Sequence, residues 1–409
     1  MNFRRLWRNL PRKIPPAPAE GHGRTAWAPT KPSPWGYGRA VPVRLTRAEK
    51  VQANTELLRD TAESIIVRDG WDRLTFQGLA REAGLTVGAV YARFDNPSDV
   101  GIDLWQSRVS TWFTQWVGAI VEASDRGDAA ALRSLMEDEV RSSEVSMVAF
   151  KLMLASLFDE ELDEVIGANV RAALAPYVTV GPDATPRDRH LAACHVLVLS
   201  FAFGRLVAER SATTPVAVPM DRYEALAAHA TGSVQDIDAE PKVEVGWRRI
   251  LPDRHPYAEI ATASMDLISQ VGYRRATIAR IARRAGVSRG SLLAGYPDKA
   301  ALIADVATSL MVPAGEVWDS YVAAHGPMPT EQVRALFLQD FLDPARRADW
   351  ALNLELNRVA RYEDAFAAYA VPRSILEQTH LGVMVTACFS PDLSELPYMG
   401  CFTAGIAAR

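Results

Sequence analysis

The chain has 409 residues, 48% of them hydrophobic, with a formal net charge of −4; it is too long for one small domain and apolar enough to build several cores. No apolar run reaches the ~18–20 residues of a membrane span, and the basic start (Arg4, Arg5, Arg8, Arg12, Lys13) lacks the apolar stretch of a secretory signal. Three cysteines (Cys194, Cys388, Cys401), odd in number and without CxxC spacing, argue against a disulfide framework and for a reduced, cytoplasmic protein.

Residues 1–43 hold eight prolines and eight Lys/Arg against one acid, with no hydrophobic period. They read as a basic disordered arm; an equal alternative is a functionless extension from an upstream start codon. From Thr46 onward the pattern is helical. Leu58, Ala62, Ile65 and Ile66 recur at three and four, and Ile260, Ser264, Leu267 and Ile268 repeat the pattern.

The segment Gly70–Phe94 then returns as Gly272–Tyr296, without a gap, at an offset of 202 residues. Over residues 70–100 against 272–302, 9 of 31 positions are identical. The chain thus divides into an arm (1–43), a first head (44–100), a helical body with connector (101–245), a second head (246–302) and a second helical body (303–409). Expected body helices are Asp99–Ala123, Ala129–Arg141, Glu144–Val170, His190–Glu209 and Asp221–His229, then Ala300–Met311, Thr330–Asp340, Ala348–Ala370 and a stretch around Tyr398–Arg409. Phe201–Gly204 and Phe402–Gly405 correspond at an offset of 201. The fold class is all-α, in two tandem units. The first head carries eight bases and nine acids, the second ten bases and four acids, so a polyanion is drawn to the second.

Each repeat reads as helix, glycine turn, helix, the layout of a major-groove reader. In the first copy, Thr75 caps one helix and Thr86 the next. Leu79 and Ala80 face inward, Ala83 permits a close crossing, and Gly84 supplies the turn conformation. Val90 and Phe94 anchor the recognition helix, leaving Val87, Gly88, Ala89, Tyr91, Ala92 and Arg93 toward the groove. The second copy supplies Thr277 and Ser288 as caps and Arg289, Gly290, Ser291 and Ala294 on the reading side, with Lys299 just beyond. Arg289 stands where a guanidinium can pair with guanine.

The string Thr75…Leu79-Ala80…Ala83-Gly84-Leu85-Thr86-Val87-Gly88…Tyr91…Phe94, and its copy at 277–296, resembles the signature of the TetR family of transcriptional regulators. The resemblance covers roughly 46–100 and 258–302. It implies an all-helical protein, a DNA-binding head with a ligand-binding and dimerising body, and repression relieved by a small molecule. Here it implies two protomers fused into an intramolecular pseudo-dimer on a double-stranded DNA operator. It also implies phosphate contacts from a tyrosine, present as Tyr91 but replaced by Leu293, and from a lysine, present as Lys299 but replaced by Pro97.

Trp105, Trp112 and Trp116 recur at helical spacing, and with Phe150 they are the candidate wall of a site for a small apolar or aromatic effector; plain core packing reads as well. Phe150 also belongs to a stripe with Met147, Met153 and Leu157 that fits a core better. His190, Cys194 and His195 offer at most a metal half-site, with no third or fourth ligand evident, so no metal or cofactor is expected. No GxSxG, HExxH, P-loop or dinucleotide turn occurs, so no enzyme is expected. The reading is a ligand-responsive repressor whose unlike heads read an asymmetric operator; the alternative is a degenerate interaction module with little or no DNA binding.

Overall fold

The computed structural model of the chain describes residues 46–211, 218–231, 257–307, 347–360, 363, 365–366 and 375–389, and every element among them is helical. The expected basic arm, the connector at 232–256, the helix at 330–340 and the closing stretch at 398–409 lie outside the described residues, and the helix expected over 300–311 is described only to Ala307.

The chain divides into residues 1–56 and 57–409. In the first unit, Thr46 and Glu49 form a reciprocal cap. The Glu49 amide donates to Thr46 Oγ1 at 3.2 Å, and the Thr46 amide donates to Glu49 Oε2 at 2.6 Å. These bonds hold the Glu49 carboxyl below its usual range. They start α1 (Arg47–Asp69), which α2 (Phe76–Glu82) and α3 (Val87–Tyr91) follow. Leu58, Ile66, Leu79 and Val90 are fully buried where the three helices meet.

The first body opens with α4 (Pro97–Leu104), capped reciprocally by Asn96 and Asp99. A π-turn (Trp105–Val109) leads into α5 (Ser110–Asp125). Arg59 of α1 forks onto Asp103 of α4, and Arg108 of the π-turn reaches Asp60 and Glu63 of α1. Head and body therefore join through ion pairs as well as apolar contact. Then come α6 (Ala129–Arg133), a second π-turn (Ser134–Glu139), α7 (Glu144–Ser156), a third (Asp163–Gly167) and α8 (Ala168–Val178). The last two helices of this body are α9 (Pro186–Ser211) and α10 (Met220–Thr231).

One expectation needs correction here. Within Pro186–Val207 a window of mean hydropathy 1.6 is long and apolar enough to cross a membrane. Its charges are Arg187, Asp188 and Arg189 at the helix start and Arg205 near the end, and the stretch between them is apolar although His195 and Ser200 interrupt it. That window is 94% buried inside the fold, as suits a core helix.

The second half repeats the plan: α11 (Tyr257–Arg275), α12 (Ile278–Arg284), α13 (Arg289–Gly295), a helix over residues 299–307, α14 (Arg347–Val359) and α15 (Ile375–Phe389). α14 matches α7 in length at an offset of 203 and has two buried faces. Trp350 and Leu354 join the core of the first body. Leu352, Leu356 and Val359 pack under the second head.

The helix that packs along α9 is α15, a segment the sequence reading passes over. The correspondence drawn from Phe201–Gly204 falls on residues 402–405, outside the described ones. Gly382 makes the close crossing possible: a Cβ there would stand 1.7 Å from the Ser200 carbonyl oxygen and 2.6 Å from the Gly204 amide. Ser200 Oγ donates to Thr386 Oγ1 at 3.0 Å across the same crossing.

Candidate nucleic-acid interface

The two heads use the same backbone devices at the same positions. Gly70 (φ 90, ψ 161) and Gly272 (φ 73, ψ 162) both occupy a region open essentially to glycine alone, and each ends the long helix before the turn. Thr75 accepts from the Gly78 amide and Thr277 from the Arg280 amide, at 3.1 and 3.3 Å. Gly84 (φ 65) and Gly286 (φ 70) adopt the left-handed conformation. The next amide closes each helix end, Leu85 onto Ala80 at 2.9 Å and Val287 onto Ala282 at 3.0 Å. Thr86 and Ser288 cap the recognition helices through the Ala89 and Ser291 amides, at 3.2 and 2.9 Å.

Residues 58–98 and 260–306 each match the profile of the bacterial regulatory proteins of the tetR family. The chain thus carries a tetR-family DNA-binding domain in each half. As such it is a DNA-binding transcription regulator with a helix-turn-helix in each half. No curated protein matches the chain.

The expected reading residues sit on the outer face of these tetR-family heads. Thr75, Thr86, Val87, Gly88, Tyr91, Ala92 and Arg93 are exposed in the first, and Ala89 is half-buried. Thr277, Ser288, Arg289, Gly290, Ser291 and Ala294 are exposed in the second. Tyr91 is 60% exposed, and its ring stands edge-on to Phe76 at 4.9 Å. Leu293, the aligned residue, is also exposed.

Several cations of the second head are engaged within the protein. Lys299 is half-buried; its ammonium donates to the Tyr273 carbonyl at 2.8 Å and lies 3.7 Å from the centre of the Tyr273 ring. Burial pushes this ammonium below the usual lysine range, against the pull of Glu363, Glu355 and Asp72. Arg280 donates to the Arg275 carbonyl at 2.9 Å, Arg284 stands 3.6 Å from Asp266, and Arg275 pairs with Asp159 at 2.8 Å. The sequence counts these charges correctly and is silent on where they point.

In the body, Trp105 and Trp116 are buried and hydrogen-bonded, to Asn169 Oδ1 at 3.2 Å and to the Leu135 carbonyl at 3.0 Å. Trp112 is partly buried, stacks on Trp116 at 5.6 Å and donates to Glu139. Phe150 stands apart from them. It lines a cleft of about 580 Å³ beneath the first head, with Ile65, Trp71, Lys151 and Leu154. Lys151 is 9% exposed and donates to the Ile66 and Val67 carbonyls at 2.8 and 2.7 Å, a cation on the C-terminal end of α1. Cys194 Sγ lies 3.6 Å from His190 Nε2, whereas His195 turns to Asp125 and the Tyr177 carbonyl. No metal-holding group of His, Cys, Asp or Glu occurs among the described residues.

Proposed function

We propose that this protein is a ligand-responsive repressor that reads an asymmetric operator with two unlike heads on one chain, as an intramolecular pseudo-dimer. The observation that carries the reading is the pairing of two matched backbone frames with unmatched outer faces: Val87 aligns with Arg289, Ala89 with Ser291 and Arg93 with Gly295. Identical heads read a palindrome; heads that differ at these positions read two different half-sites. The packing of α9 on α15 supports the pseudo-dimer, since it places the two halves against each other within one chain. Domain limits of 44–100 and 246–302 for the heads, and a cytoplasmic location, go with this reading.

The effector part rests on the aromatic content of the first body. Trp112 is partly buried and stacks on the buried Trp116, an aromatic face suited to a flat apolar molecule. No catalytic step is proposed. One observation favours the rival reading of an interaction module: Lys299, the second head's aligned phosphate contact, is committed to Tyr273.

In-vitro selection from random duplex DNA with the full chain tests the proposal. The expected result is a two-part, non-palindromic site bound by one chain, with the complex mass showing that stoichiometry. A perfect palindrome, or two or more chains on the shortest bound duplex, overturns the single-chain reading. No enrichment at all favours the interaction module.

A further inference from the structure

We infer that Arg358 is a specificity-determining residue that sets the spacing between the two heads, and so the spacing of half-sites the chain accepts. This rests on the reading that both heads engage DNA.

Arg358 lies in the last turn of α14, the helix that carries the second head. Its Nε and Nη2 fork onto Glu355 at 2.6 and 2.7 Å, and its Nη1 donates to the Asp72 carboxylate. Asp72 belongs to the 3-10 turn that opens the helix-turn-helix of the first head. Glu355 is fully buried, and its Oε1 also accepts from the Tyr273 amide at 2.5 Å. Tyr273 opens the helix-turn-helix of the second head. Two side chains therefore tie together the entry turns of both heads. The guanidinium is suited to this because its planar fork serves two carboxylates at once, where an ammonium offers a single point of charge. The side chains of Arg358 and Asp72 are only 15% and 19% exposed, which limits screening by salt.

A second crossing runs the other way. Arg275 of the second head pairs with Asp159 of the first body at 2.8 Å, and Asp159 also accepts from Ser98 Oγ at 3.3 Å. Phe158 packs on Gly272 beside it. In one crossing the first half supplies the acid to a base on the second-half helix; in the other, its body supplies the acid to a base on the second head. The arrangement does not work between like halves. Ala155 stands at the place of Arg358 in α7, and Arg274 at the place of Asp72. A cleft of about 740 Å³, lined by Trp71, Asp72, Arg274, Arg275 and Arg358, surrounds the bridge and leaves room for the heads to swing once it is cut.

Binding two linked half-sites gains its advantage only when the geometry permits both contacts at once. The decisive measurement is affinity of the full chain for its selected operator with the spacer lengthened or shortened by one or two base pairs. The wild-type chain is expected to prefer one spacer by about a hundredfold, and Asp72→Asn or Arg358→Gln to reduce that preference to about tenfold or less. Arg358→Lys should fall between. Affinity for a duplex carrying either half-site alone should not change. Asp72→Asn leaves the Glu355–Arg358–Tyr273 set in place, so it reports even where Arg358→Gln fails to fold.

A second readout needs no DNA. Spin labels on Gln77→Cys and Ala279→Cys, both exposed, in a Cys401→Ser background should give a narrow inter-head distance that broadens on Asp72→Asn. An unchanged distance distribution and unchanged spacer preference in the Asp72 variant overturn the inference. If instead the distance broadens but no two-part site is ever bound, the two-headed reading fails and the bridge stands as a purely structural tie.

Discussion

The two heads share a backbone and differ in what lies above and below it. Gly70 and Gly272, Gly84 and Gly286, and the four capping hydroxyls occupy matching places with matching geometry. These are positions where the chain has few alternatives: a left-handed turn favours glycine, and a helix start needs a side-chain acceptor. The recognition helices face outward and meet no such requirement, so Val87 and Arg289 both begin a helix and are very different readers. Beneath the heads the contrast is one of crowding. A Cβ on Gly70 meets nothing within 4 Å, whereas one on Gly272 meets Glu355 at 3.1 Å and Phe158 at 3.4 Å. Shared turns thus rest on unequal foundations.

That inequality yields the largest expected effect. Gly70→Ala should cost about 1–3 kcal/mol from backbone strain alone. Gly272→Ala should carry the same strain plus about 1–3 kcal/mol of overpacking against a buried carboxylate and an aromatic ring. Urea unfolding of the two variants decides it: equal losses would mean that the second head is no more tightly seated than the first.

Most of the heads was legible in the sequence, because caps, glycine turns and apolar spacing are local rules. Thr75, Thr86, Thr277 and Ser288 do what their positions require. Contacts set by distant parts of the chain were not legible. Asp72 and Arg358 are 286 residues apart, and nothing near either predicts the other. Lys299 reads as an outward cation until Tyr273 is seen to offer it a carbonyl and a ring. The helix Ile375–Phe389 escaped notice because its last turns, Gly382–Phe389, are apolar nearly all round, as packing against α9 and α14 requires, so no single-faced period stands out. Trp105 and Trp116 show the same limit: helical spacing put them on one face, and only the structure gives their indole N–H groups partners.

The outer faces provide the next test. Arg289→Ala should weaken binding to the preferred site by about 1–3 kcal/mol and relax preference at one base, while Val87→Ala should change affinity by less than about 0.5 kcal/mol. A uniform loss across all sequences for Arg289→Ala would mark a phosphate contact instead. Electrophoretic titration against single-base variants of the selected site separates the two.

Where the heads are alike, their variants should be alike. Gly84→Ala and Gly286→Ala force an L-residue into the left-handed region with open space around the new Cβ, so each should lose about 1–2 kcal/mol by thermal or urea unfolding. A difference well outside that range would show that the shared turns are not energetically equivalent.

The smallest effect concerns Lys299, which has Pro97 as its counterpart. Its folded-state pKa lies below the ordinary value of 10.5, chiefly through burial. In the window from that lowered value up to 10.5 the unfolded chain binds the extra proton, so stability rises with pH there and is held down below it. Lys299→Met should flatten that part of the stability–pH curve while keeping the stem's packing. On DNA, the same variant separates two roles. If Lys299 leaves Tyr273 to meet a phosphate, the slope of log affinity against log salt should fall by about 1 in Lys299→Met. If it stays on the Tyr273 carbonyl, the slope should not move, and both heads would then lack a lysine contact to the DNA backbone: the first because Pro97 stands there without a charge, the second because the charge of Lys299 is already engaged.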